Sequence, residues 1–538
     1  MTNHVVSPLV LALLLVAALF ATAAGAAVPS APVVGAEPTI EDNIIVESFD
    51  GEPILATLML PPGASASSPV PAILRTHGWG GERERTPNTF LQRLLDEGYA
   101  ILTWDSRGFG DSGGEANIAS PDFEVKDAGA LMDYLASRPE IQKDGPNDPR
   151  VGWTGGSNAA GVQFNTAALD HRVEAIVPEI SWGLLTKDLN PNNVYKQGWG
   201  ELLYNFGLTG ATHDGLDSPA GPQRGEYAEQ IHRGYRETKA TGRVSPEIKE
   251  WFRHKSTVIR SRKIEAPTLI IQGSVDTLFP LEDAFANYKN LVAAGTPVKL
   301  MAYCAGHTLG CNYPGGSSGY PDGAGERRPI FEDRIVAWLN RYVKDQDVDT
   351  GAEVEWQAQD GYYYNAPRFP LPGTRYIRLK AIRSGQLVGP GSTGGDGATD
   401  ANPAPKEELG ETAARHRVAT FSGKPRAVLG IPKVKLQGRV VGDRAYVFLE
   451  LVDVDKDGKR VTLDDQTMPV VLKPGRFERT VKLHGVAWKL LPGHRLELEV
   501  TTGSSQYQQA RGAYTVKLKA ITKLPVAGSR FVSRSARS

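Results

Sequence analysis

Apolar runs alternate with amphipathic stretches over the first two thirds of the chain. The apolar runs are short and rich in Val, Ile and Leu, which is typical of buried strands. They predict strands at residues 44–49, 54–60, 69–74, 100–104, 151–153, 173–180, 267–273 and 298–303. The amphipathic stretches predict helices at residues 89–97, 125–137, 281–294 and 330–342. This alternation indicates an α/β domain over residues 43–345, with a mostly parallel sheet covered by helices on both faces.

The alternation stops between residues 183 and 262. The stretch 184–259 contains amphipathic segments and many aromatic side chains, but no convincing strand. We therefore expect a helical cap that is inserted in the α/β domain and lies over its sheet.

A second pattern begins after about residue 351. Short runs alternate between apolar and polar residues, as in Val434-Lys435-Leu436, and Gly and Pro separate them. Such runs predict an all-β domain, a jelly-roll β-sandwich over residues 352–525. Residues 385–411 are rich in Gly, Pro, Asp and Glu and predict a flexible loop inside that domain. Residues 526–538 form the predicted tail.

The N-terminal segment has the composition of an export signal. Residues 5–28 are apolar and carry no acidic or basic side chain. Because Ala24-Gly25-Ala26 is a suitable cleavage site, we expect a signal peptide over residues 1–26, a linker over residues 27–42, and a secreted, extracytoplasmic protein. The run is also long enough to span a bilayer, so an uncleaved N-terminal membrane anchor is the alternative.

Length and charge restrict the classes of protein. The chain has 538 residues, more than one hydrophobic core usually holds, so two or three domains are expected. Its 60 Lys and Arg residues against 61 Asp and Glu residues give a formal net charge of −1, and no basic run occurs. This balance argues against a nucleic-acid-binding surface.

Residues 151–163 are the first candidate for chemistry. A buried strand runs into Gly155-Gly156-Ser157, and small residues that could open a helix follow. In this Gly-x-Ser-x-Ala pattern, residues without bulk allow a tight turn that exposes the hydroxyl of Ser157, as in a nucleophile elbow. A helix beginning at Asn158 would also direct backbone N–H groups toward the surroundings of that hydroxyl.

Three reactive groups follow the carboxyl ends of predicted strands, namely Ser157, Asp276 and His307. In an open α/β sheet, active sites assemble at that edge. Singly, the aspartate could be a turn residue or helix cap, and the histidine could be structural. In this order and on these elements they match a catalytic triad. His307 would take the proton of Ser157, and Asp276 would orient the imidazole, with no cofactor and no metal.

The oxyanion of such a reaction needs two hydrogen-bond donors. The N–H of Asn158 directly follows the nucleophile and is the first. The second is expected in the glycine-rich segment 77–81 after an earlier strand, where we assign the N–H of Trp79. His77 is interpreted as a structural histidine of that loop.

The chain has two cysteines, Cys304 and Cys311, which bracket His307. In an exported protein we expect them to form a disulfide that stiffens the loop holding His307. Two free thiols are the alternative. Two cysteines alone cannot complete a zinc site.

Two further motifs suggest other ligands. The pattern Asp453-x-Asp455-x-Asp457-Gly458, with Asp464, is similar to an EF-hand calcium loop. Predicted strands flank it, however, and Asp replaces the bidentate Glu of the last position, so we interpret it as a β-hairpin turn. Residues 107–110 are only superficially similar to a phosphate-binding loop, and we interpret them as a structural turn beneath the site.

Several longer motifs accompany the elbow and the triad. They are Asp105-Ser106-Arg107-Gly108-Phe109-Gly110-Asp111-Ser112-Gly113, residues 266–276, Gly306-His307, residues 451–458 and Gly493-His494-Arg495-Leu496. With these motifs the chain resembles, from about residue 43 to 520, the X-prolyl dipeptidyl-peptidase and cocaine-esterase (CocE/NonD) family of serine hydrolases, which includes cephalosporin acylases. The resemblance implies an α/β-hydrolase domain with an inserted helical cap and a C-terminal jelly roll. Members usually carry Tyr and then Gly after the nucleophile, whereas this chain has Asn158 and Ala159. The resemblance therefore does not determine the shape of the acyl pocket or the class of substrate.

The expected function is therefore that of an exported serine hydrolase that forms an acyl-Ser157 intermediate. Its partner would be a small-molecule ester or amide or a short peptide, not nucleic acid, and the oligomeric state is open. Esterase, acylase and dipeptidyl-peptidase activity all remain possible; a peptidase would need a carboxylate for the free amine, such as Glu82, Asp188 or Glu201. The alternative is a non-catalytic extracellular binding protein on a decayed hydrolase fold, because fold alone does not settle function.

Overall fold

A computed structural model gives the fold of the chain. It describes residues 37–213, 217–221, 225–307, 330–359, 361–379, 383–389, 414–420, 426–528 and 533–534. The predicted signal peptide, Cys311 and most of the predicted loop 385–411 lie outside these residues.

Strands and helices alternate in the first part of the chain. The strands are β1 (Thr39–Glu47), β2 (Pro53–Leu60), β3 (Ala72–Thr76), β4 (Ala100–Trp104), β5 (Glu115–Ala116), β6 (Lys143–Gly145), β7 (Asp148–Pro149), β8 (Val151–Gly156), β9 (Val173–Glu179), β10 (Glu226–Tyr227), β11 (Thr268–Gly273) and β12 (Val298–Tyr303). The helices are α1 (Thr89–Asp96), α2 (Glu124–Ser137), α3 (Asn158–Ala167), α4 (Leu185–Asp188), α5 (Gln197–His213), α6 (Glu229–Thr241), α7 (Pro246–His254), α8 (Leu281–Ala294) and α9 (Ile330–Tyr342). Short 3₁₀ turns occur at Pro191–Asn193, Thr257–Ile259 and Ser261–Lys263.

Only strands follow α9 in the described part of the chain. They are β13 (Val354–Gln357), β14 (Tyr363–Ala366), β15 (Arg375–Leu379), β16 (Arg383–Gly389), β17 (Ala414–Thr420), β18 (Arg426–Gly430), β19 (Lys433–Gly442), β20 (Ala445–Val454), β21 (Arg460–Leu472), β22 (Gly475–Lys482), β23 (Val486–Leu490), β24 (Arg495–Thr501), β25 (Tyr514–Val526) and β26 (Ser533–Arg534).

The central sheet has the strand order β1-β2-β4-β3-β8-β9-β11-β12-β13-β14-β26. The strands from β4 to β13 in this order pair in parallel, and the strands at both edges pair antiparallel. Successive residues of a strand enter different cores: Ile101 packs in the layer that contains α1 and α9, and Leu102 in the layer that contains α2, α3 and α8. The predicted α/β sheet with helices on both faces is therefore confirmed.

The helices α4 to α7 form the cap. They occupy the stretch where the strand pattern stops. Among the described residues of that stretch, the only strand is the two-residue β10, which pairs with β5. Trp182, Leu185 and Trp199 belong to the same buried core as the central sheet. The cap is therefore packed firmly on the α/β domain.

The C-terminal strands form a β-sandwich, as predicted. One antiparallel sheet has the order β15-β25-β19-β22, with β16 also pairing with β25, and the other has the order β17-β24-β20-β21. Val434 and Val516 of the first sheet and Leu449 and Leu498 of the second belong to one buried core.

The structure differs from the predicted domain boundary at two places. β13 adds in parallel to β12, and β14 adds to β13, so the first strands of the predicted jelly roll belong to the central sheet. β26, in the predicted tail, pairs with β14. The physical reason is that an open sheet edge has unpaired N–H and C=O groups, which added strands satisfy. The period-2 pattern of a strand does not specify which sheet it joins.

Candidate active site

Ser157 lies in a tight turn between β8 and α3. It has φ +59° and ψ −120°, which is rare for a residue with a side chain. Close packing around the turn explains the small residues of the motif: a Cβ on Gly155 would lie 3.0 Å from the Cβ of Ala159. The strained backbone holds the hydroxyl at the carboxyl edge of the sheet.

Ser157, His307 and Asp276 lie in one hydrogen-bonded row. The Ser157 Oγ is 2.7 Å from His307 Nε2, and His307 Nδ1 is 2.7 Å from Asp276 Oδ2. With the proton on Nδ1, the imidazole donates to the carboxylate and Nε2 accepts from the serine hydroxyl. Asp276 and His307 follow β11 and β12 and are 31 residues apart, whereas Ser157 follows β8 and precedes His307 by 150 residues.

Asp276 is fully buried, and its carboxylate is held by backbone donors. Oδ1 accepts hydrogen bonds from the N–H groups of Leu278 and Phe279, at 2.9 and 3.0 Å, and Oδ2 accepts one from the N–H of His307 at 3.3 Å. Such donors fix the direction of the carboxylate. The aspartate can therefore hold the imidazole and stabilise its protonated form.

Gly306 allows the histidine loop to approach this aspartate. A Cβ at Gly306 would lie 2.5 Å from the Cβ of Asp276 and 2.8 Å from its Cα. A Cβ at Gly273 would lie 2.0 Å from the carbonyl oxygen of Ala305. Gly273 and Gly306 thus allow the two loops to come close enough for the hydrogen bond between Asp276 and His307.

Residues that the sequence analysis did not identify hold the Asp276 loop in place. From the cap, Lys196 Nζ donates to the carbonyl oxygens of Thr277 and Leu278, at 2.6 and 3.1 Å, and Trp199 Nε1 donates to Thr277 Oγ1 at 3.0 Å. From the β-sandwich, Gln466 Nε2 donates to the carbonyl oxygen of Asp276 at 3.0 Å. No local sequence signal marks these residues, since they come from other elements and bind backbone oxygens.

Lys196 is completely buried beside two carboxyl groups of the cap and α8. Burial lowers the pKa of Lys196, while Asp188 and Asp283 oppose that change. Burial also raises the pKa of Asp188 to about 7 and that of Asp283 well above its ordinary value. This cluster lies behind the Asp276 loop and contributes to its support.

The predicted oxyanion donors lie around Ser157. Asn158 begins α3, and a Cβ on Gly78, the neighbour of Trp79, would lie 3.6 Å from the Ser157 Cβ. Within the described part of the chain, neither the Asn158 N–H nor the Trp79 N–H donates a hydrogen bond. The Trp79 ring is fixed separately, by its Nε1 donating to the Leu203 carbonyl oxygen at 3.1 Å.

His77 and the segment after β4 have structural roles, as predicted. His77 is buried, its Nε2 accepts from the Ser106 N–H at 2.9 Å, and its Nδ1 donates to the Gly78 carbonyl oxygen at 2.7 Å. Burial lowers the pKa of His77, which favours this neutral form. Arg107 is buried, and its Nη2 donates to Asp127 Oδ1 at 2.6 Å. This ion pair anchors the turn beneath the site.

A pocket of about 120 Å³ opens beside the Ser157 hydroxyl. Most of its wall comes from the cap. Its apolar lining includes Trp79, Ile118, Trp182, Leu185, Leu189, Leu203, Ile231, Val244, Phe252, Leu278 and Phe279. The polar lining groups are uncharged, namely those of Ser157, Asn158, Tyr195, Tyr204, Tyr235 and Thr238. No charged side chain lines the pocket among the residues that the structure describes.

The three carboxylates considered for amine binding do not line this pocket. Glu82 is exposed, and Asp188 is buried in the cluster with Lys196. Glu201 accepts hydrogen bonds from Tyr235 Oη at 2.5 Å and from Lys239 Nζ at 3.2 Å. The pocket therefore suits an uncharged apolar group better than a free amine.

The remaining predictions concern the cysteines and the acidic loop. Cys304 directly follows β12 in a buried position, and its N–H donates to Gln357 Oε1 at 3.0 Å. Because Cys311 lies outside the described residues, the disulfide stays a prediction. The acidic loop joins β20 to β21, and Asp455 Oδ1 accepts from the N–H groups of Asp457 and Lys459, at 2.9 and 2.8 Å. This segment is the predicted hairpin turn.

Two family models match the chain. Residues 50–308 match X-Pro dipeptidyl-peptidase (S15 family), and residues 346–523 match the X-Pro dipeptidyl-peptidase C-terminal non-catalytic domain. An uncharacterised protein of Escherichia coli, YcjY, is 28% identical over 145 residues, which are 27% of this chain and 44% of that protein. An uncharacterised protein of Pseudomonas aeruginosa is 30% identical over 128 residues, 24% of this chain and 33% of that protein. The chain thus spans less than half the length of these two relatives.

Solved structures share the whole architecture. A CocE/NonD family hydrolase from Staphylococcus aureus superposes with a TM-score of 0.66 at 14% identity, over 91% of this chain and 94% of that chain. An α-amino acid ester hydrolase superposes with a TM-score of 0.66 at 13% identity, over 94% of this chain and 98% of that chain. At such identities the similarity establishes the fold.

Proposed function

We propose that this protein is an exported esterase for uncharged, apolar acyl groups. The proposal starts from its place in the X-Pro dipeptidyl-peptidase (S15) and CocE/NonD family of serine hydrolases. The observation that carries the proposal is the row Ser157–His307–Asp276 opening into an apolar pocket. A free amine or carboxylate of a substrate would lose its hydration there without gaining a charged partner.

The proposed reaction has two halves. Ser157 Oγ attacks the ester carbonyl carbon while its proton moves to His307 Nε2, and Asp276 stabilises the resulting imidazolium. The N–H groups of Asn158 and Trp79 donate to the oxyanion of the tetrahedral intermediate. The intermediate collapses, the leaving alkoxide takes the proton from His307, and an acyl-Ser157 remains. Water, deprotonated by His307, then attacks the acyl carbon, and the proton returns to Ser157 as the acid is released.

Export is proposed from the sequence of residues 5–28, an apolar run followed by small residues. In the part of the chain that the structure describes, no helix has the length and apolar character needed to cross a bilayer. An uncleaved anchor at residues 5–28 is the alternative. Fractionation of expressing cells distinguishes the two, because a cleaved protein is found in the medium at reduced mass and an anchored protein stays in the membrane fraction at full length.

A second candidate is dipeptidyl-peptidase activity, which the family match favours. Esterase and dipeptidyl-peptidase activity are distinguished with two sets of substrates. The first is a series of p-nitrophenyl esters of increasing acyl length, and the second is Ala-Pro-p-nitroanilide with a free and with an acetylated N-terminus. We expect ester hydrolysis that improves from acetate to a medium-length chain, and no cleavage of the free dipeptide anilide. Cleavage of the free anilide, blocked by N-acetylation, would make the peptidase the better assignment. Ser157→Ala is the control and should abolish either activity.

A further inference from the structure

A second cavity, of about 350 Å³, lies where the cap meets the β-sandwich. Five cationic side chains line it, namely Arg243, Lys249, Arg444, Lys473 and Arg479. The first two come from the cap, Arg243 from the segment before α7 and Lys249 from α7 itself. The other three come from the sandwich, before β20, after β21 and within β22. No acidic residue lines the cavity among the described residues.

These five charges are not neutralised within the described protein. None of the five forms an ion pair with an acidic residue that the structure describes, whereas other arginines, such as Arg138 and Arg460, pair with glutamates. Their observed partners are neutral oxygens. Arg479 donates to Asn192 Oδ1 at 2.9 Å and to the Val471 carbonyl oxygen at 3.1 Å, and Lys249 Nζ donates to Asn193 Oδ1 at 3.0 Å.

Such a concentration of charge is not a consequence of composition, because the chain as a whole has a formal net charge of −1. Like charges around one concave surface repel each other, and the low-dielectric walls of a cavity strengthen their field. An anion removes this repulsion. Arginine guanidinium groups are suited to bind oxyanions through paired N–H donors.

We propose that this cavity is a binding site for an oxyanion that carries at least two negative charges, such as a phosphate or a polycarboxylate group. Arg479 is held by its bonds to Asn192 and Val471, so its position is set before the anion arrives. Arg444, Lys473 and Arg243 are exposed and free of ion pairs with the described residues, and they close around the bound anion. The anion thereby joins the cap to the sandwich.

The cavity is separate from the catalytic pocket but adjoins it. Val244 lines both, and it is the neighbour of Arg243. Because α6 and α7 line one part of the acyl pocket, an anion that joins Arg243 and Lys249 to the sandwich also restrains this part of the cap. The binding itself does not depend on chemistry at Ser157.

The test is calorimetric titration of the full chain with inorganic phosphate, pyrophosphate and citrate at constant ionic strength, with sodium chloride as the reference. The cavity variant is Arg444→Gln/Lys473→Gln, since neither side chain donates a hydrogen bond to the described protein. The matched control is Arg439→Gln/Arg476→Gln, two exposed arginines of the sandwich outside the cavity, which changes the net charge equally.

We expect saturable binding of one anion per chain by at least one of the three probes. Its affinity should fall about tenfold or more in the cavity variant and change little in the control. Binding of pyrophosphate or phosphate without citrate would assign a phosphoryl site, and binding of citrate alone a polycarboxylate site. Absence of saturable binding, or an equal loss of affinity in both variants, would overturn the proposal. Because Ser157→Ala should bind the anion as the wild type does, this outcome is independent of the esterase assignment.

Discussion

At the scale of single residues, the candidate site depends on positions where a side chain would not fit. His307 can reach Asp276 only because residue 306 has no Cβ, and the backbone of Ser157 is held at φ +59° by the elbow around it. Reactive side chains are thus placed by neighbours that take no part in the chemistry. Pre-organised geometry of this kind supplies a large part of an enzyme's rate.

The first prediction concerns Gly306→Ala. The added methyl group would meet Asp276 Cβ at 2.5 Å, so the loop must move and His307 must leave its position between Asp276 and Ser157. We expect kcat for a p-nitrophenyl ester to fall about 100-fold while the far-ultraviolet circular dichroism spectrum is retained. Gly129→Ala is the matched control, because its methyl group would meet only Arg172 Nη2, at 3.9 Å. Wild-type kcat in Gly306→Ala would show that this close approach is not required.

At the scale of elements, the strands bring together groups that are distant in the chain. Asp276 and His307 follow the neighbouring strands β11 and β12, and Ser157 follows β8, two positions away in the sheet. This placement follows from the strand pattern, because the carboxyl ends of parallel strands share an edge. For that reason the elements and their order, and the three reactive residues, could be predicted from the sequence.

The supporting contacts could not be predicted in the same way. Lys196 binds backbone oxygens about eighty residues away, and Gln466 binds one about 190 residues away. Neither contact has a periodic or motif signature, since it depends on how the cap and the sandwich pack. The addition of β13 to the central sheet could not be predicted for the same reason, because an alternating pattern does not specify which sheet a strand joins.

The second prediction concerns Glu174 of β9. Burial raises the pKa of Glu174 to about 8, against an ordinary value of 4.5 in the unfolded chain. The folded state therefore favours the protonated carboxyl group, so its contribution to stability is complete below about pH 4.5 and is lost as the pH rises through 8. Glu174→Gln should leave Tm almost unchanged at pH 4 and raise it at pH 8, with a stabilisation on the order of 1 kcal/mol.

The Glu174→Gln variant can keep the hydrogen bond that Glu174 Oε2 accepts from the Val151 N–H at 2.5 Å, because an amide oxygen is also an acceptor. The measurement is thermal unfolding by circular dichroism between pH 4 and pH 8. Glu265→Gln, at a side chain that is 82% exposed, is the control and should shift Tm little at either pH. A stabilisation of Glu174→Gln that shrinks with rising pH would contradict the assignment.

At the scale of the whole molecule, the β-sandwich is part of the active-site support. Its Gln466 donates to the carbonyl oxygen of Asp276, and its His484 and Glu282 of α8 make a hydrogen bond of 2.7 Å across the same interface. The central sheet also passes through this boundary, since β13, β14 and β26 extend it. The two family domains therefore act as one unit at the triad.

The third prediction tests this connection with Gln466→Leu. The variant loses the hydrogen bonds to the carbonyl oxygens of Asp276 and Ser274 while keeping much of the side-chain volume. We expect kcat to fall about tenfold with little change in KM, because the loop that holds the triad aspartate loses a restraint. Gln437→Leu, which removes an amide on the exposed face of the same domain, should keep wild-type kinetics. If Gln466→Leu has the same kcat and KM as Gln437→Leu, the sandwich contributes to stability and not to catalysis.

The central claim is that Ser157 is a nucleophile activated by His307. The most direct measurement is intact-protein mass spectrometry after reaction with a fluorophosphonate, followed by peptide mapping, for the wild type, Ser157→Ala and His307→Gln. The account predicts one phosphonyl group per chain, located on Ser157, none in Ser157→Ala, and labelling that is slower by about a thousandfold or more in His307→Gln. A folded wild-type protein that takes up no label, or a label that persists in Ser157→Ala, would contradict it and favour the non-catalytic binding protein.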